Sequence, residues 1–202
     1  MAGEWKSPPP VPPNKSRSRR CKRVDVKTIS LTAVFASLYA VLVIFLAPIS
    51  SGPIQLRVAD CLLPLAALFG WPIVWGATLG CLVGNAIGGM IAFGSLNPFD
   101  VVFGSVANFI ATLVIFALRK KKLLGCVLAS LIVGAIVGGY LWIFIPPPDI
   151  FGVPLQPWTA MVVSITISSL VAIAVIGYVL LVAINQPNVI EPIKSRGLKV
   201  YA

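Results

Sequence analysis

Gly52-Pro53-Ile54-Gln55-Leu56-Arg57-Val58-Ala59-Asp60-Cys61-Leu62-Leu63-Pro64-Leu65-Ala66-Ala67-Leu68-Phe69-Gly70-Trp71-Pro72 is the stretch on which the architecture turns. Its apolar part, about 58–69, has twelve residues. As an α-helix it would rise only about 18 Å, short of a hydrocarbon core about 30 Å thick. Pro64 interrupts it as well, and an interior proline removes a backbone donor. Five clearer apolar runs surround it, at about 29–46, 73–92, 99–118, 123–145 and 158–184. Each is of span length. The fold therefore depends on whether 58–69 also crosses.

Charge decides the matter. The basic surplus sits in three blocks outside the apolar runs, Lys15 to Lys27, Arg119 to Lys122 and Lys194 to Lys199. If 58–69 crosses, all three fall on one side, and the excess of Lys and Arg in short loops marks that side as the cytoplasm. If it does not cross, Arg119-Lys120-Lys121-Lys122 lands opposite the N-terminal block. The expected fold is an all-α integral membrane protein with six transmembrane helices and both termini cytoplasmic. Span two borrows length from the loop before it or from a turn at Gly70-Trp71-Pro72.

Composition agrees. Of 202 residues, 58% are hydrophobic and 11% charged, against about 25% charged in a soluble domain. Lys and Arg outnumber Asp and Glu by 16 to 6, for a formal charge of +10. Beside apolar spans, that surplus reads as a topology signal, and no nucleic acid is expected as a partner. The chain has no His, and its four Cys include no CxxC pair, so the common zinc and disulfide frameworks are missing. No GxxxxGK[ST] loop occurs, so the chain has no ATPase of that type. No metal and no cofactor are expected. The organisation is a Pro-rich, then basic, cytoplasmic tail over 1–27, which cannot bury a core, a transmembrane domain over 28–186, and a basic cytoplasmic tail over 187–202. The basic part of the first tail resembles the start of a signal peptide, but the run after it has span length.

With six spans, three loops face outward, at about 47–58, 93–99 and 146–157. In or just beside them lie Gln55, Arg57, Asp60, Asn97, Asp100, Asp149 and Gln156. Arg57 and Asp60, three residues apart, share one face of a helix start. They read either as a cap with an interfacial ion pair or as a ligand clamp, since charge at the edge of hydrocarbon marks function. Asn97-Pro98-Phe99-Asp100 has the form of a helix entry with Asn97 as N-cap. Asn85 and Asn108, in mid-span, bond a neighbouring helix or line a cavity. Phe99, Phe103, Trp142 and Trp158 form an interfacial belt or a stacking wall for a flat heterocycle. Small residues recur at Ala36-x3-Ala40 and at Gly76-x3-Gly80-x3-Gly84-x3-Gly88, a spacing that lets helix backbones approach. The pattern describes a membrane binding protein that opens outward. The absence of His and clustered carboxylates argues against an integral membrane enzyme; a structural membrane protein is the other class left open.

Thr28 through Leu42, followed by Ala47-Pro48-Ile49-Ser50-Ser51-Gly52-Pro53-Ile54-Gln55-Leu56-Arg57-Val58-Ala59-Asp60, resembles the opening of the QueT-type queuosine-precursor transporter family. Gly84-Asn85-Ala86-Ile87-Gly88-Gly89 and Asp100-Val101-Val102-Phe103-Gly104-Ser105 fit the same family. The resemblance covers about 28–185. It implies a substrate-binding S component of an energy-coupling factor (ECF) transporter in the plasma membrane, with an outward pocket capped by the loop between spans one and two. The implied ligand is a 7-deazaguanine precursor of queuosine. The implied partners are membrane lipid, a transmembrane coupling subunit meeting Ala36 and Ala40, and two cytoplasmic ATPases. The residues expected to hold the ligand are Gln55, Arg57, Asp60, Asn85, Asn97 and Asp100, with Phe103 and Trp158 for stacking. Where many family members carry Glu, this chain has the shorter Asp60, which bears on the ligand's identity. A solitary carrier, or an S component for another heterocycle, is the alternative.

Overall fold

A computed structural model describes residues 26–47, 57–146 and 156–201. Gln55, Asp149 and most of the N-terminal tail lie outside the described residues. The elements are α1 (Val26–Phe45), a 3-10 helix (Val58–Leu65) continued by the short α2 (Ala66–Phe69), α3 (Trp71–Phe93), α4 (Pro98–Ala117) and α5 (Lys122–Leu141). They are followed by α6 (Pro157–Ser169), a π-helix (Leu170–Gly177) that runs on into α7 (Tyr178–Ile184), and α8 (Pro187–Ser195). Among the described residues, five helical segments are long and apolar enough to cross a membrane: α1, α3, α4, α5 and the continuous Pro157–Ile184. The segment expected from sequence as the sixth crossing, Val58–Phe69, is a shorter apolar helix of twelve residues and is not among them.

That segment gains length from its geometry. A 3-10 helix rises about 2.0 Å per residue against about 1.5 Å in an α-helix, so these residues extend roughly 22 Å. Arg57 and Ala59 lie at one end of the bundle, beside Asn85 and Leu141. At the other end the Leu68 carbonyl accepts from the backbone N–H of Tyr201 at 2.7 Å. Irregular backbone at membrane depth is stable only when protein surrounds it. From Leu62 to Phe69 every side chain is buried. The segment is the bundle's central post, enclosed by the surrounding helices. Opposite Pro64 stands Gly177 of the π-helix, where a Cβ would sit 2.8 Å from the Cys61 carbonyl and from Pro64 Cγ. The two irregular helices thus fit each other.

Small residues set the remaining contacts. The glycine ridge of α3 lies against α1. A Cβ at Gly80 would be 2.6 Å from the Ala36 carbonyl and 2.8 Å from Tyr39 Cβ, and one at Gly84 would be 2.8 Å from Val43 Cβ. On α5, a Cβ at Gly138 would be 2.5 Å from Val162 Cα of α6. The Ala36-x3-Ala40 ridge therefore turns partly inward. Ala40 is buried in the chain and Ala36 is half-buried, while Ala33, Val34, Ser37, Leu38 and Val41 face outward. In this arrangement Ala40 is not available to a partner.

Gly70 makes the turn between α2 and α3 at φ +68°, a left-handed value that favours glycine. The expected Gly70-Trp71-Pro72 turn is thus confined to Gly70, with Trp71 and Pro72 opening α3. The segment after Pro187, read from sequence as a tail, folds back. Ile190 of α8 is buried, Tyr201 packs edge-on to Phe116 at 5.2 Å, and Lys27 Nζ donates to the Arg196 carbonyl at 2.9 Å.

Candidate binding site

Asn97 prepares the site. Its side chain accepts from the N–H groups of Phe99 (3.1 Å) and Asp100 (3.4 Å) and so caps α4. The cap sets Asp100 in the first turn, where the helix dipole favours a negative charge. Asp100 Oδ1 then accepts from the Tyr140 hydroxyl of α5 at 2.7 Å. Across from it, Arg57 is the N-cap residue of the 3-10 helix, and its Nη2 donates to Asn85 Oδ1 of α3 at 2.9 Å. Asn85 Nδ2 donates onward to the Asp100 carbonyl at 3.1 Å. Asn85 thereby joins α3, α4 and the post.

These groups border a cavity of about 440 Å³ at the end of the bundle away from the described Lys blocks. Its polar walls are Arg57, Asn85, Ser95, Asn97 and Asp100. Its apolar walls are Leu42, Val43 and Ala47 of α1, the backbone at Gly88 and Gly89, and Val137, Leu141, Phe144 and Ile145. Phe99 completes the rim. It stacks parallel to Phe103 at 6.2 Å and meets Phe144 at 5.6 Å. Gly104 admits this arrangement, because a Cβ there would be 2.6 Å from Asn85 Nδ2.

A second polar cluster lies behind the cavity. Tyr39 donates its hydroxyl to Asp60 Oδ1, and Asn108 Nδ2 donates to the same hydroxyl oxygen at 2.6 Å. All three residues are fully buried. Three buried polar atoms lack a hydrogen-bond partner among the described residues here and at the cavity wall: Arg57 Nη1, Asp60 Oδ2 and Asn108 Oδ1. Such atoms are costly unless something fills their bonding capacity.

Of the residues singled out from sequence, Arg57, Asn85, Asn97 and Asp100 come together around the cavity. Asp60 does not line it, because its carboxyl turns to Tyr39 instead. Phe103 stands behind Phe99 rather than on the wall. Trp158 is half-exposed, its indole N–H donating to Gln156 Oε1 at 2.8 Å, away from the cavity. Gln55 lies outside the described residues. Sequence reasoning passed over Tyr39, Tyr140 and Phe144; a hydroxyl inside an apolar run was the available signal for the two tyrosines. Among the described residues no group of three or more His, Cys, Asp or Glu side chains gathers as a metal site would need.

The site is thus a cavity of small-ligand size, mostly apolar, with a few convergent polar groups, as binding pockets are built. No curated protein and no solved structure matches the chain. The family model described as QueT transporter matches residues 29–186, from the first turn of α1 past the end of α7, with every described cavity residue inside it. The chain is therefore a multi-pass membrane transporter that belongs to the QueT transporter family.

Proposed function

We propose that this chain is the substrate-capture subunit of an ECF-type importer and that it takes up a 7-deazaguanine precursor of queuosine. The observation that carries the reading is the cavity itself. Arg57 offers an unpaired buried N–H beside Asn85, and Asp100 offers a carboxylate, over walls of aliphatic side chains and the Phe99 ring. A deazaguanine presents a carbonyl acceptor and adjacent N–H donors on a flat apolar ring. Arg57 serves the carbonyl, the acid serves a donor, and Phe99 gives a stacking surface.

In this reading Val58–Phe69 is the sixth crossing, both termini are cytoplasmic, and the cavity opens to the outside of the plasma membrane. The arrangement keeps every basic block on one side. The sequence carries no phosphate-binding loop of the ATPase type, so two cytoplasmic ATPases and a transmembrane coupling subunit supply the energy. The surface for that subunit is the outward face of α1, with Ala33, Ser37 and Val41 at its centre and Ala36 at its edge. Ala40, buried against the rest of the chain, supports the face from within.

Calorimetry on the purified chain in nanodiscs tests the reading. A saturable one-to-one isotherm for a queuosine-precursor deazaguanine, with none for riboflavin and a loss of affinity in Arg57→Ala, is expected. Riboflavin binding in place of the deazaguanine would assign the chain to another solute.

A further inference from the structure

The end of the bundle opposite the cavity is strongly basic. Lys27, Arg119 to Lys122, Lys194, Arg196 and Lys199 stand there against one described acid, Glu191 of α8, three residues from Lys194. Basic loops beside spans follow the ordinary topology rule, so the excess alone assigns no site. Two of these cations are held differently. The Arg119 guanidinium lies 5.0 Å from the centre of the Phe116 ring and 5.4 Å from that of Tyr201, and Lys199 Nζ lies 5.0 Å from the same Tyr201 ring. Each is attracted to the aromatic face, so two like charges gather at one ring. Among the described residues neither pairs with an acid; Arg119 Nη1 donates to the Phe116 carbonyl at 3.3 Å.

The ring that gathers them is fixed in place. The Tyr201 N–H donates to the Leu68 carbonyl at 2.7 Å. A Cβ at Gly70 would be 2.8 Å from Tyr201 Cε2 and 2.9 Å from Phe116 Cε2, so both rings close over the glycine turn. From this corner an aromatic track runs between α3 and α4. Trp71 meets Phe116 edge-on at 6.2 Å, and one turn further Trp75 meets Phe109 at 5.5 Å. Trp71 and Trp75 are 47% and 50% exposed, on a helix of crossing length, so their open faces meet lipid. Charges and track are continuous through Phe116, which touches Arg119, Tyr201 and Trp71.

We infer that this corner binds one anionic phospholipid, its phosphate between Arg119 and Lys199 and an acyl chain along Trp71, Trp75 and Phe109. A guanidinium matches phosphate oxygens in charge and geometry, and tryptophan belongs at the depth where headgroup gives way to chain. A soluble acidic partner would meet the charges but not the rings beneath them. The site is remote from the cavity and independent of what the cavity binds.

Native mass spectrometry of the full chain in detergent tests it, with phosphatidylglycerol or phosphatidylcholine of the same acyl chains added. One phosphatidylglycerol should be retained in preference to phosphatidylcholine. Each cation near an anionic headgroup contributes about fivefold in affinity, so the two together give roughly thirtyfold. Arg119→Gln combined with Lys199→Gln should abolish the preference, whereas Lys120→Gln combined with Lys194→Gln, which removes the same charge from the same end, should leave it. An unchanged unfolding midpoint in lipid-free detergent shows that the variants are folded; Lys199→Gln alone, at an exposed residue, should still remove about fivefold. Trp75→Ala should weaken retention of the lipid while its preference for the anionic headgroup stays. Equal retention of the two lipids by the wild-type chain, or equal loss in both charge pairs, would overturn the inference. Displacement of the lipid by chain-free glycerophosphoglycerol or by an oligoglutamate peptide at equal concentration would assign the charges to a soluble anion and overturn it as well.

Discussion

Gly104→Ala is the most informative small change to this site. Gly104 lies on the buried face of α4, and a methyl group there would be 2.6 Å from Asn85 Nδ2, 3.6 Å from Asp100 Oδ1 and 3.7 Å from Arg57 Nη2. Ordinary contact starts near 3.4 Å, so the amide must retreat by about 0.8 Å or α4 must move outward. The amide's bonds to the Asp100 carbonyl and from Arg57 are 3.1 and 2.9 Å long, and a retreat of that size along either direction takes it out of bonding range. Overpacking of this kind costs about 1–3 kcal/mol. A freed and reoriented Arg57 removes about 1–3 kcal/mol more from ligand binding, or roughly ten- to a hundredfold in affinity. The assay is calorimetry in nanodiscs with the queuosine-precursor deazaguanine, alongside thermal unfolding in the same nanodiscs. Gly139→Ala is the control, since a Cβ there meets nothing within 4 Å. Gly104→Ala binding within twofold of wild type would refute the claim that Asn85 joins the three walls of the cavity.

Three further outcomes follow from the packing. Tyr39→Phe removes the hydroxyl shared by Asp60 and Asn108 and should lower stability by about 1–3 kcal/mol, read as a drop in the unfolding midpoint; combining it with Asp60→Asn should recover part of the loss, because the abandoned group is then uncharged. Gly80→Val places side-chain atoms where the Ala36 carbonyl and Tyr39 Cβ already stand, so α1 must separate from α3 and both stability and ligand affinity should fall. Tyr201→Ala breaks the aromatic contacts with Phe116 and Arg119 at the end remote from the cavity; stability should fall by about 1 kcal/mol, with ligand affinity unchanged when measured by the same calorimetry.

The five long spans were legible because each is an apolar run of span length, and the Asn97 cap was legible because Asn-Pro before an apolar run has a local meaning. Arg57, Asn85 and Asp100 were found as charged or amide groups that an apolar setting makes conspicuous. The placement of Asp60 was not legible. An i, i+3 spacing puts two residues on one face only when both are inside the same helix, and Arg57 is the residue before it. Its side chain runs to Asn85, while that of Asp60 runs to Tyr39, a partner 21 positions away that no local pattern indicates. The 3-10 geometry of Val58–Leu65 was hidden for a similar reason: it depends on burial by the surrounding helices. The inward turn of Ala40 depends on which face of α1 meets the glycines of α3, and the recurrence of small residues on both helices does not fix that angle.

The central claim is that a 7-deazaguanine sits in the cavity between Arg57, Asn85 and Asp100. A photoreactive deazaguanine, cross-linked to the purified chain in nanodiscs and mapped by peptide mass spectrometry, tests it most directly. The account predicts labelling confined to the peptides that carry Leu96 to Phe99 and Leu141 to Ile145, abolished by excess unlabelled ligand. Competable labelling elsewhere, for example near Trp158 or at the Tyr201 end, with those peptides untouched, would contradict it.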